Sequence, residues 1–234
     1  NSSGTKMYIS GDANDTLYQY SLSTAYDLST ASYDSVSFSV SSQTASPRCL
    51  VFSVDGTNAF VVGTFDDALF QYSLSTPFDL STMSYDSVSY DVSSQATSPT
   101  CAVFNVDGTK MYVGDAGSDS IYQYSLSTGF DLSTASYDSV SFDISGQEAN
   151  TTDIFFSGDG TKMYLTGLTN DGVLQYSLST GFDLSTASYD SISFSVISQG
   201  TPSGLAFNDD GTKMYINEFD SDSVHQYSTA SYTQ

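Results

Sequence analysis

The sequence predicts an all-β fold, a β-propeller made of four-stranded blades with a repeat of about 52 residues. One observation is that short apolar runs alternate with turn residues, and no stretch shows helical periodicity. A second is the block Gly-Thr-Lys-Met-Tyr, which starts at Gly4, Gly108, Gly160 and Gly211, with a degenerate copy from Gly56. A third is a glutamine with the same spacing, at Gln19, Gln71, Gln123, Gln175 and Gln226.

The uniform repeat favours a single propeller domain over residues 1–234 rather than two smaller domains. A period in this range is typical of one supersecondary unit that is stacked several times. We expect the repeats to span about 1–45, 46–97, 98–149, 150–200 and 201–234.

Each repeat contains the pattern of four antiparallel strands. A short apolar run predicts a buried first strand, and the Asp-Gly pair that follows it is a strong hairpin signal. Two more strands enclose an acidic tip, and a longer connection leads to an outer strand of period 2. In the third repeat the predicted strands are 102–104, 110–113, 121–126 and 140–144.

The number of blades depends on two incomplete repeats. The first repeat lacks an innermost strand and the last lacks an outermost one, so the pattern contains 18 strands. We expect five blades, with three strands in each terminal blade. The alternative is four blades, in which residues 36–40 complete the last blade and the hairpin 7–22 is left to pack separately or to pair with another copy.

The charge of the chain excludes some classes of function. There are 27 acids against 5 bases, and 25 of the acids are Asp, which gives a net charge of −22. Binding of nucleic acid needs a basic surface, so nucleic acid is excluded as a partner. No apolar run reaches about 18 residues, so we expect no membrane insertion. The acidic balance suits an extracellular position or the surface of a cell or virion.

The two cysteines occupy the same position in neighbouring repeats. They are Cys49 and Cys101, and the matching residues in the next two repeats are Asp153 and Gly204. A disulfide would require their Cα atoms to lie within about 7 Å. Two buried free thiols are the favoured interpretation.

The segment from Ser203 to Tyr215, Ser-Gly-Leu-Ala-Phe-Asn-Asp-Asp-Gly-Thr-Lys-Met-Tyr, resembles the repeats of YVTN/lactonase-like and NHL-like propellers. This resemblance covers nearly the whole chain and implies the blade architecture without specifying an activity. The extended motifs Tyr-Gln-Tyr-Ser-Leu-Ser-Thr and Leu-Ser-Thr-Ala-Ser-Tyr-Asp-Ser also resemble repeats of marine bacterial surface proteins and of phage tail or fibre proteins. That second resemblance implies a role in binding or scaffolding.

The hairpin tips are candidate Ca²⁺ sites. Equivalent loops lie on one face of a propeller, and hard cations need several oxygen ligands. The favoured interpretation is nevertheless that Asp serves turn formation at the tips. The candidate metal ligands are Asp12, Asp15, Asp66, Asp67, Asp115, Asp119, Asp171, Asp220 and Asp222.

The long connections carry repeated aromatic residues beside Asp and Ser. Aromatic rings can stack on sugars while nearby polar groups bind hydroxyls, although strict repetition suits a packing role equally well. A true site would be repeated around the ring and would bind multivalently. The candidate ligand-binding residues are Tyr26, Phe78, Phe130, Phe182, Tyr33, Tyr85, Tyr137 and Tyr189.

The chain offers little material for catalysis. His225 is the single histidine, no Cys–His pair is evident, and no spacing is typical of metal ligands. A glycosidase needs only two carboxyls, but the regular repetition marks no special pair. We therefore predict a non-enzymatic extracellular binding or structural module, for adhesion or for recognition of a surface glycan or protein receptor.

Two alternatives remain open. One is a purely architectural protein that self-associates through its terminal strands. The other is a glycan hydrolase, lyase or lactonase on a propeller scaffold, in which one repeat departs from the others around a cleft. The visible departures are Cys49 with Cys101, the segment 148–153 and His225, and nothing in their spacing brings them together.

Overall fold

The chain forms a five-bladed β-propeller, in which five antiparallel sheets follow one another around a central axis. The computed structural model describes residues 1–196 and 201–229. In these residues blades 2, 3 and 4 have four strands each, and blades 1 and 5 have three. The predicted fold class is therefore confirmed, with the larger of the two expected blade numbers.

The strands in chain order are as follows. Blade 1 contains β1 (Lys6–Gly11), β2 (Thr16–Leu22) and β3 (Ala31–Ser39); blade 2 contains β4 (Pro47–Phe52), β5 (Asn58–Gly63), β6 (Ala68–Leu74) and β7 (Met83–Asp91); blade 3 contains β8 (Pro99–Phe104), β9 (Lys110–Asp115), β10 (Ser120–Leu126) and β11 (Ala135–Asp143); blade 4 contains β12 (Thr151–Phe156), β13 (Lys162–Gly167), β14 (Gly172–Leu178) and β15 (Ala187–Ser195); blade 5 contains β16 (Pro202–Phe207), β17 (Lys213–Glu218) and β18 (Ser223–Ser228).

The four-blade alternative is wrong. It required residues 36–40 to complete the last blade, but β3 pairs with β2 of its own blade. The hairpin 7–22 is not surplus, because it forms the first two strands of blade 1. The four-blade prediction failed because a sequence repeat does not reveal whether a three-stranded blade can take its own place in the ring.

The outer strands begin earlier than the alternation predicts. In blade 3 the strand starts at Ala135 instead of residue 140, directly after a 3-10 turn. A bulge shifts the pairing between Gln123 and Tyr124, and Ser139 opposite has a φ of 60°. The bulge interrupts the period-2 pattern, which hides the first half of the strand from sequence analysis.

Short 3-10 turns are the helical elements of the described residues. Each Leu-Ser-Thr turn is preceded by an Asp whose side chain accepts a hydrogen bond from the serine N–H. None of the described helices is long and apolar enough to cross a membrane. The turns are Asp12–Asn14, Leu28–Thr30, Leu80–Thr82, Leu132–Thr134 and Leu184–Thr186.

Tyrosines of the third strands fill the interfaces between blades. Tyr124 is fully buried, and the ring of Tyr90 from the outer strand of the preceding blade meets it edge to face at 5.6 Å. The same contact recurs as Phe38 with Tyr72 and Phe142 with Tyr176. The core is therefore divided among the blade interfaces.

A glutamine on the third strand links each of four blades to the next. Its Oε1 accepts a hydrogen bond from the leucine N–H of the Leu-Ser-Thr turn in the following blade, at 2.9 Å in every case. The contact between blade 5 and blade 1 closes the ring, and Tyr215 adds a bond from its hydroxyl to the carbonyl of Tyr26 at 2.7 Å. The four glutamine–leucine pairs are Gln19 with Leu80, Gln71 with Leu132, Gln123 with Leu184, and Gln226 with Leu28.

The Asp-Gly turns between the first two strands require glycine. Gly108 has a φ of +72°, and a Cβ added there would lie 2.4 Å from the ring of Phe130. We expect Gly108→Ala to lower the free energy of unfolding by about 2 kcal/mol or more, because the methyl group strains the backbone and displaces this ring. Urea unfolding followed by circular dichroism measures the change.

Gly146→Ala is the matched control for this substitution. No atom lies within 4 Å of a Cβ added at Gly146, and its backbone is outside the left-handed region. An equal loss of stability at Gly146 and Gly108 would contradict the interpretation.

The contribution of the glutamine link can be measured by comparing two blades. Both Gln123 and Gln175 donate from Nε2 to an aspartate of their own blade, but only Gln123 has a partner for Oε1 among the described residues. We expect Gln123→Ala to lower the free energy of unfolding by about 1–3 kcal/mol more than Gln175→Ala, because it leaves the buried N–H of Leu184 unpaired. Equal losses in urea unfolding would show that the link is energetically neutral.

Candidate functional site

A cavity of about 320 Å³ opens near the propeller axis, on the side of blade 1. It lies between the innermost strands β4, β12 and β16 and the edge of β1. In the described residues β1 pairs with β2 alone, whereas the equivalent strands of the other blades also pair with an innermost strand. The axis is therefore wider beside blade 1 than a fully four-stranded ring would leave it.

Asp153 on β12 is the acidic side chain of this cavity. The Leu205 N–H on β16 donates to its Oδ2 at 2.8 Å, and the Ile154 N–H donates to its Oδ1 at 2.8 Å. Burial raises the pKa of Asp153 to about 7, although both hydrogen bonds act in the opposite direction. A carboxyl with this pKa can accept and release a proton at neutral pH.

The two cysteines lie close to Asp153. Both are free thiols, as the favoured interpretation predicts, but only Cys101 is buried and Cys49 is partly buried. Burial and then the charge of Asp153 raise the pKa of Cys49 to about 12, and the same causes raise the pKa of Cys101 well above its usual value. The thiols stay protonated at neutral pH and are poor nucleophiles, because the thiolate is the reactive form.

Further polar side chains line the cavity, among them Arg48, Asn217 and Ser203. Arg48 supplies a positive charge; its Nη2 lies 3.4 Å from the Asp12 carboxylate, and its side chain is 41% exposed. Asn217 donates from Nδ2 to the Ser203 Oγ at 2.8 Å. The cavity thus combines a proton-transfer group, a cation, an amide and a hydroxyl. Together they can polarise a carbonyl and direct a water molecule towards it.

Equivalent positions of neighbouring innermost strands bring these groups together. Cys49, Cys101 and Asp153 occupy the same place in successive blades, and Asp153 acts electrostatically on both thiols. The expectation that the departures from the repeat do not converge is therefore wrong for these three residues. The signal in the sequence was the loss of repetition at one position of the innermost strand.

Glu148 and His225 are not among the residues that line the axial cavity. The carboxylate of Glu148 accepts the N–H groups of Thr169 at 2.7 Å and Asn170 at 3.1 Å, so it holds a hairpin tip. A Cβ added at Gly167 would lie 2.5 Å from this carboxylate. His225 is on β18, opposite Ile216 of β17.

Asp115 holds the corresponding tip of blade 3 from the other side. Its carboxylate accepts the N–H of Ser98 at 2.6 Å and the N–H of Ser118 at 2.8 Å. Asp115 is fully buried, so this candidate calcium ligand has a structural partner for each oxygen.

The other candidate calcium ligands also lie at the tips. Asp12 accepts the Ser46 hydroxyl at 2.9 Å, Asp220 accepts the Thr201 hydroxyl, and Asp66 is exposed. In the described part of the chain, no group of three or more His, Cys, Asp or Glu residues is placed to hold a metal ion, and calcium binding stays a prediction. Five tips contain an Asp with positive φ, a conformation that Asp tolerates well: Asp15, Asp67, Asp119, Asp171 and Asp222.

The candidate sugar-binding aromatics have packing partners in each blade. Tyr26, Phe78, Phe130 and Phe182 cover the turn glycines, with ring atoms within 2.4 Å of the place where a Cβ would be. Tyr26 also lines the axial cavity. Sugar binding by these rings stays a prediction. The second set, Tyr33, Tyr85, Tyr137 and Tyr189, tilts against Tyr20, Tyr72, Tyr124 and Tyr176 at centroid distances of 5.2–5.5 Å.

The fold defines the chain as a five-bladed propeller with a polar axial cavity. No protein-family model matches the chain, and no curated protein sequence matches it. Among solved structures, two putative 6-phosphogluconolactonases are similar to it. The protein from Bacteroides uniformis ATCC 8492 has a TM-score of 0.59 at 16% identity, and the one from Bacteroides fragilis NCTC 9343 has 0.55 at 13% identity. A structure of the nidogen/laminin complex has a TM-score of 0.56 at 12% identity.

The likeness to these structures shows the fold alone, because the identities are low. The matches cover 96%, 92% and 91% of this chain, and 64%, 60% and 69% of the other chains, in the order given. The chain thus spans less than two thirds of the length of the two lactonase-type neighbours. The resemblance to YVTN and NHL repeats, and to phage or bacterial surface repeats, stays a prediction.

The comparison corrects the function expected from the sequence. Two of the similar structures bear the name of an enzyme, which contradicts the prediction of a non-enzymatic adhesion, recognition or structural module. The prediction relied on the regular repeat. That regularity concealed a convergence of unlike residues at the axis, which appears only when the innermost strands are placed side by side.

The raised pKa of Asp153 makes a prediction about stability. Folding raises this pKa from 3.8 to about 7, so the contribution of Asp153 to stability is largest at low pH and is lost as the pH rises through 7. We expect the free energy of unfolding of the wild type to fall by about 3 kcal/mol between pH 5 and pH 9 relative to Asp153→Asn. Urea unfolding of both proteins across this range measures the difference, and parallel pH profiles would contradict the raised pKa.

Proposed function

We propose that the axial cavity hydrolyses a small cyclic ester, a lactone. The observation that carries the proposal is Asp153, a carboxyl with a pKa of about 7 in a cavity that also contains Arg48. General bases work best when their pKa lies near the operating pH. The lactonase names of two structural neighbours guide the choice of substrate class.

In the proposed reaction Asp153 acts as the general base. Its carboxylate takes a proton from a water molecule while the water oxygen attacks the lactone carbonyl carbon and forms a new C–O bond. Positive charge from Arg48 and the Asn217 amide stabilise the oxyanion of the tetrahedral intermediate. The ring C–O bond then breaks, and the leaving oxygen takes the proton back from Asp153. Lactone and water thus become one hydroxy acid, and Asp153 is regenerated.

The charge of the protein favours an uncharged lactone as the substrate. The net charge of −22 repels anions on approach. The nearby Lys6 Nζ is held by Asp34 at 2.6 Å and is not free to bind a phosphate. We therefore propose glucono-δ-lactone as a better substrate than its 6-phosphate.

The proposal is tested by following acid release in a pH-stat with glucono-δ-lactone. We expect turnover above the spontaneous rate, with kcat/KM rising with pH to half its maximum near pH 7, because the base must be ionised. Asp153→Asn is expected to lower kcat/KM by about 10²–10⁴-fold. The 6-phosphate is expected to be a poorer substrate at low ionic strength, and the difference should shrink when salt is added.

Asp66→Asn is the control, since Asp66 is an exposed tip residue outside the cavity. It removes the same charge and should leave kcat/KM unchanged. Turnover that does not exceed the spontaneous rate, or that survives Asp153→Asn, would overturn the proposal.

A further inference from the structure

Blade 2 carries the degenerate copy of the repeated block, and the degeneracy removes two hydrogen-bond donors. Where the other blades have a lysine and a tyrosine on the second strand, blade 2 has Asn58 and Phe60 on β5. Asn58 lies opposite Ser73 of β6. Lys110 has the same place in blade 3, opposite Ser125. The register of the strands is therefore unchanged, and only the side-chain donors differ.

In blade 3 the lysine ammonium group binds two side-chain oxygens of its own blade. Lys110 Nζ donates to the Ser125 hydroxyl at 2.8 Å and to Asp138 Oδ2 at 2.6 Å. The Ser125 hydroxyl in turn donates to Asp138 Oδ1 at 2.5 Å. Lys6 in blade 1 and Lys162 in blade 4 make the same two contacts. The serine and the aspartate of the repeat thus form a binding place for an ammonium group.

A main-chain carbonyl of the following blade lies within reach of the same lysine. In blade 5 the equivalent Lys213 Nζ donates to the carbonyl of Tyr26 at 2.8 Å, and the Tyr215 hydroxyl donates to the same oxygen at 2.7 Å. In blade 3 the Tyr112 hydroxyl donates to the carbonyl of Phe182, which has the place of Tyr26 in the next blade. An ammonium group in the place of the lysine can therefore bond to this carbonyl as well.

The side-chain acceptors remain in blade 2, although the lysine is replaced. The Ser73 hydroxyl donates to Asp86 Oδ1 at 2.6 Å, as in blade 3. Asp86 Oδ2 accepts from Gln71 at 3.2 Å, whereas the equivalent distances in blades 1, 3 and 4 are 2.7–2.9 Å. The Asn58 amide donates to the Thr57 hydroxyl at 3.4 Å, so it does not replace the lysine contacts. Asp86 therefore carries its negative charge without the cation that its equivalents have.

The carbonyl of the next blade is also without its tyrosine. Phe130 of blade 3 supplies this carbonyl, and Phe60 has no hydroxyl to donate to it. The two rings are stacked, with centroids 6.3 Å apart, so the interface keeps its packing. Among the described residues no group donates a hydrogen bond to the Phe130 carbonyl oxygen. Three oxygen atoms, from Asp86, Ser73 and Phe130, therefore occupy the positions that bind ammonium and hydroxyl groups in the other blades.

We propose that Asp86, Ser73 and Phe130 form an ammonium site, which binds a primary ammonium group from outside the chain. The three N–H groups of the ligand donate to Asp86 Oδ2, the Ser73 hydroxyl and the Phe130 carbonyl. All three residues are half-buried, so a ligand can reach them from solvent. One carboxylate and two neutral oxygens suit this monovalent cation, whereas Ca²⁺ takes about six to eight oxygens. None of the three lines the axial cavity, so the site is independent of lactone hydrolysis.

Urea unfolding of the 234-residue protein, followed by circular dichroism, tests the proposal with methylammonium chloride as the probe. Tetramethylammonium chloride replaces it at constant total salt, because this ion has the same charge and no N–H donor. Changing from one salt to the other at about 0.3 M is expected to lower the equilibrium constant of unfolding about tenfold in methylammonium, for a Kd near about 30 mM. Nα-acetyl-lysine amide is the second probe. A larger effect than that of methylammonium at equal concentration assigns the site to a lysine side chain of a partner, and a smaller effect assigns it to a small free amine.

Variants of the protein separate the ammonium site from general salt effects. Asn58→Lys supplies the lysine of the other blades, so it is expected to lower the equilibrium constant of unfolding about threefold without any amine and to abolish the response to methylammonium. Asp86→Asn removes the charged acceptor and is expected to reduce the response to less than about twofold. Asp66→Asn is the matched control, because it removes the same charge at an exposed tip and should keep the full response.

Three outcomes would overturn the proposal. The first is an unchanged stability when methylammonium replaces tetramethylammonium, and the second is a response that Asn58→Lys retains in full. The third is an equal response to potassium chloride, since a potassium ion has no N–H group to donate to the three oxygens.

Discussion

The ring depends on one buried side-chain amide that recurs between blades. The Oε1 of Gln71 holds a Leu-Ser-Thr turn of the next blade, and its Nε2 bonds to Asp86 on its own outer strand. One residue therefore fixes both the distance to the neighbouring blade and the outer edge of its own blade. Its partner, Leu132, lies 61 residues further along the chain. The same hydrogen bond therefore holds two blades together and fixes the turn that leads to the outer strand of the second blade. This hydrogen bond orients the aromatic contacts around it, because a hydrogen bond is directional and apolar packing is not.

Much of this fold could be predicted from the sequence because the period exposes every blade. The start of the outer strands could not, because a bulge near Tyr124 breaks the alternation on which strand prediction depends. The number of blades was ambiguous because two blades have three strands. The candidate site was only half visible: Asp153 departs from the repeat, but its closeness to Cys49 follows from the curvature of the ring. The charge of the acidic tips suggested metal sites. Residues such as Asp119 have a positive φ, a conformation that Asp tolerates well, and this explains why Asp occurs in these turns.

The two cavities have a common origin in the uneven strand count. In the described residues, the axial cavity borders the blade without an innermost strand, and a second cavity, of about 620 Å³ between blades 4 and 5, borders the blade without an outermost one. The repeat makes the blades alike around the ring. The cavities open where, in the described residues, blades 1 and 5 have three strands instead of four. Polar groups such as Asp153 and Gln175 then differ from their equivalents in what they face, although the backbone around them is the same.

The two ways of holding a hairpin tip limit how the repeats can recombine. In blade 3 the carboxylate comes from Asp115, at the end of the second strand, and Ala96 precedes the blade. In blade 4 the carboxylate comes from Glu148, before the blade, and Gly167 ends the second strand. A genetic crossover between these points would produce either two buried carboxylates in one space or none, leaving like charges together or backbone N–H groups unpaired. Near-identical copies in the gene are therefore no longer freely exchangeable parts.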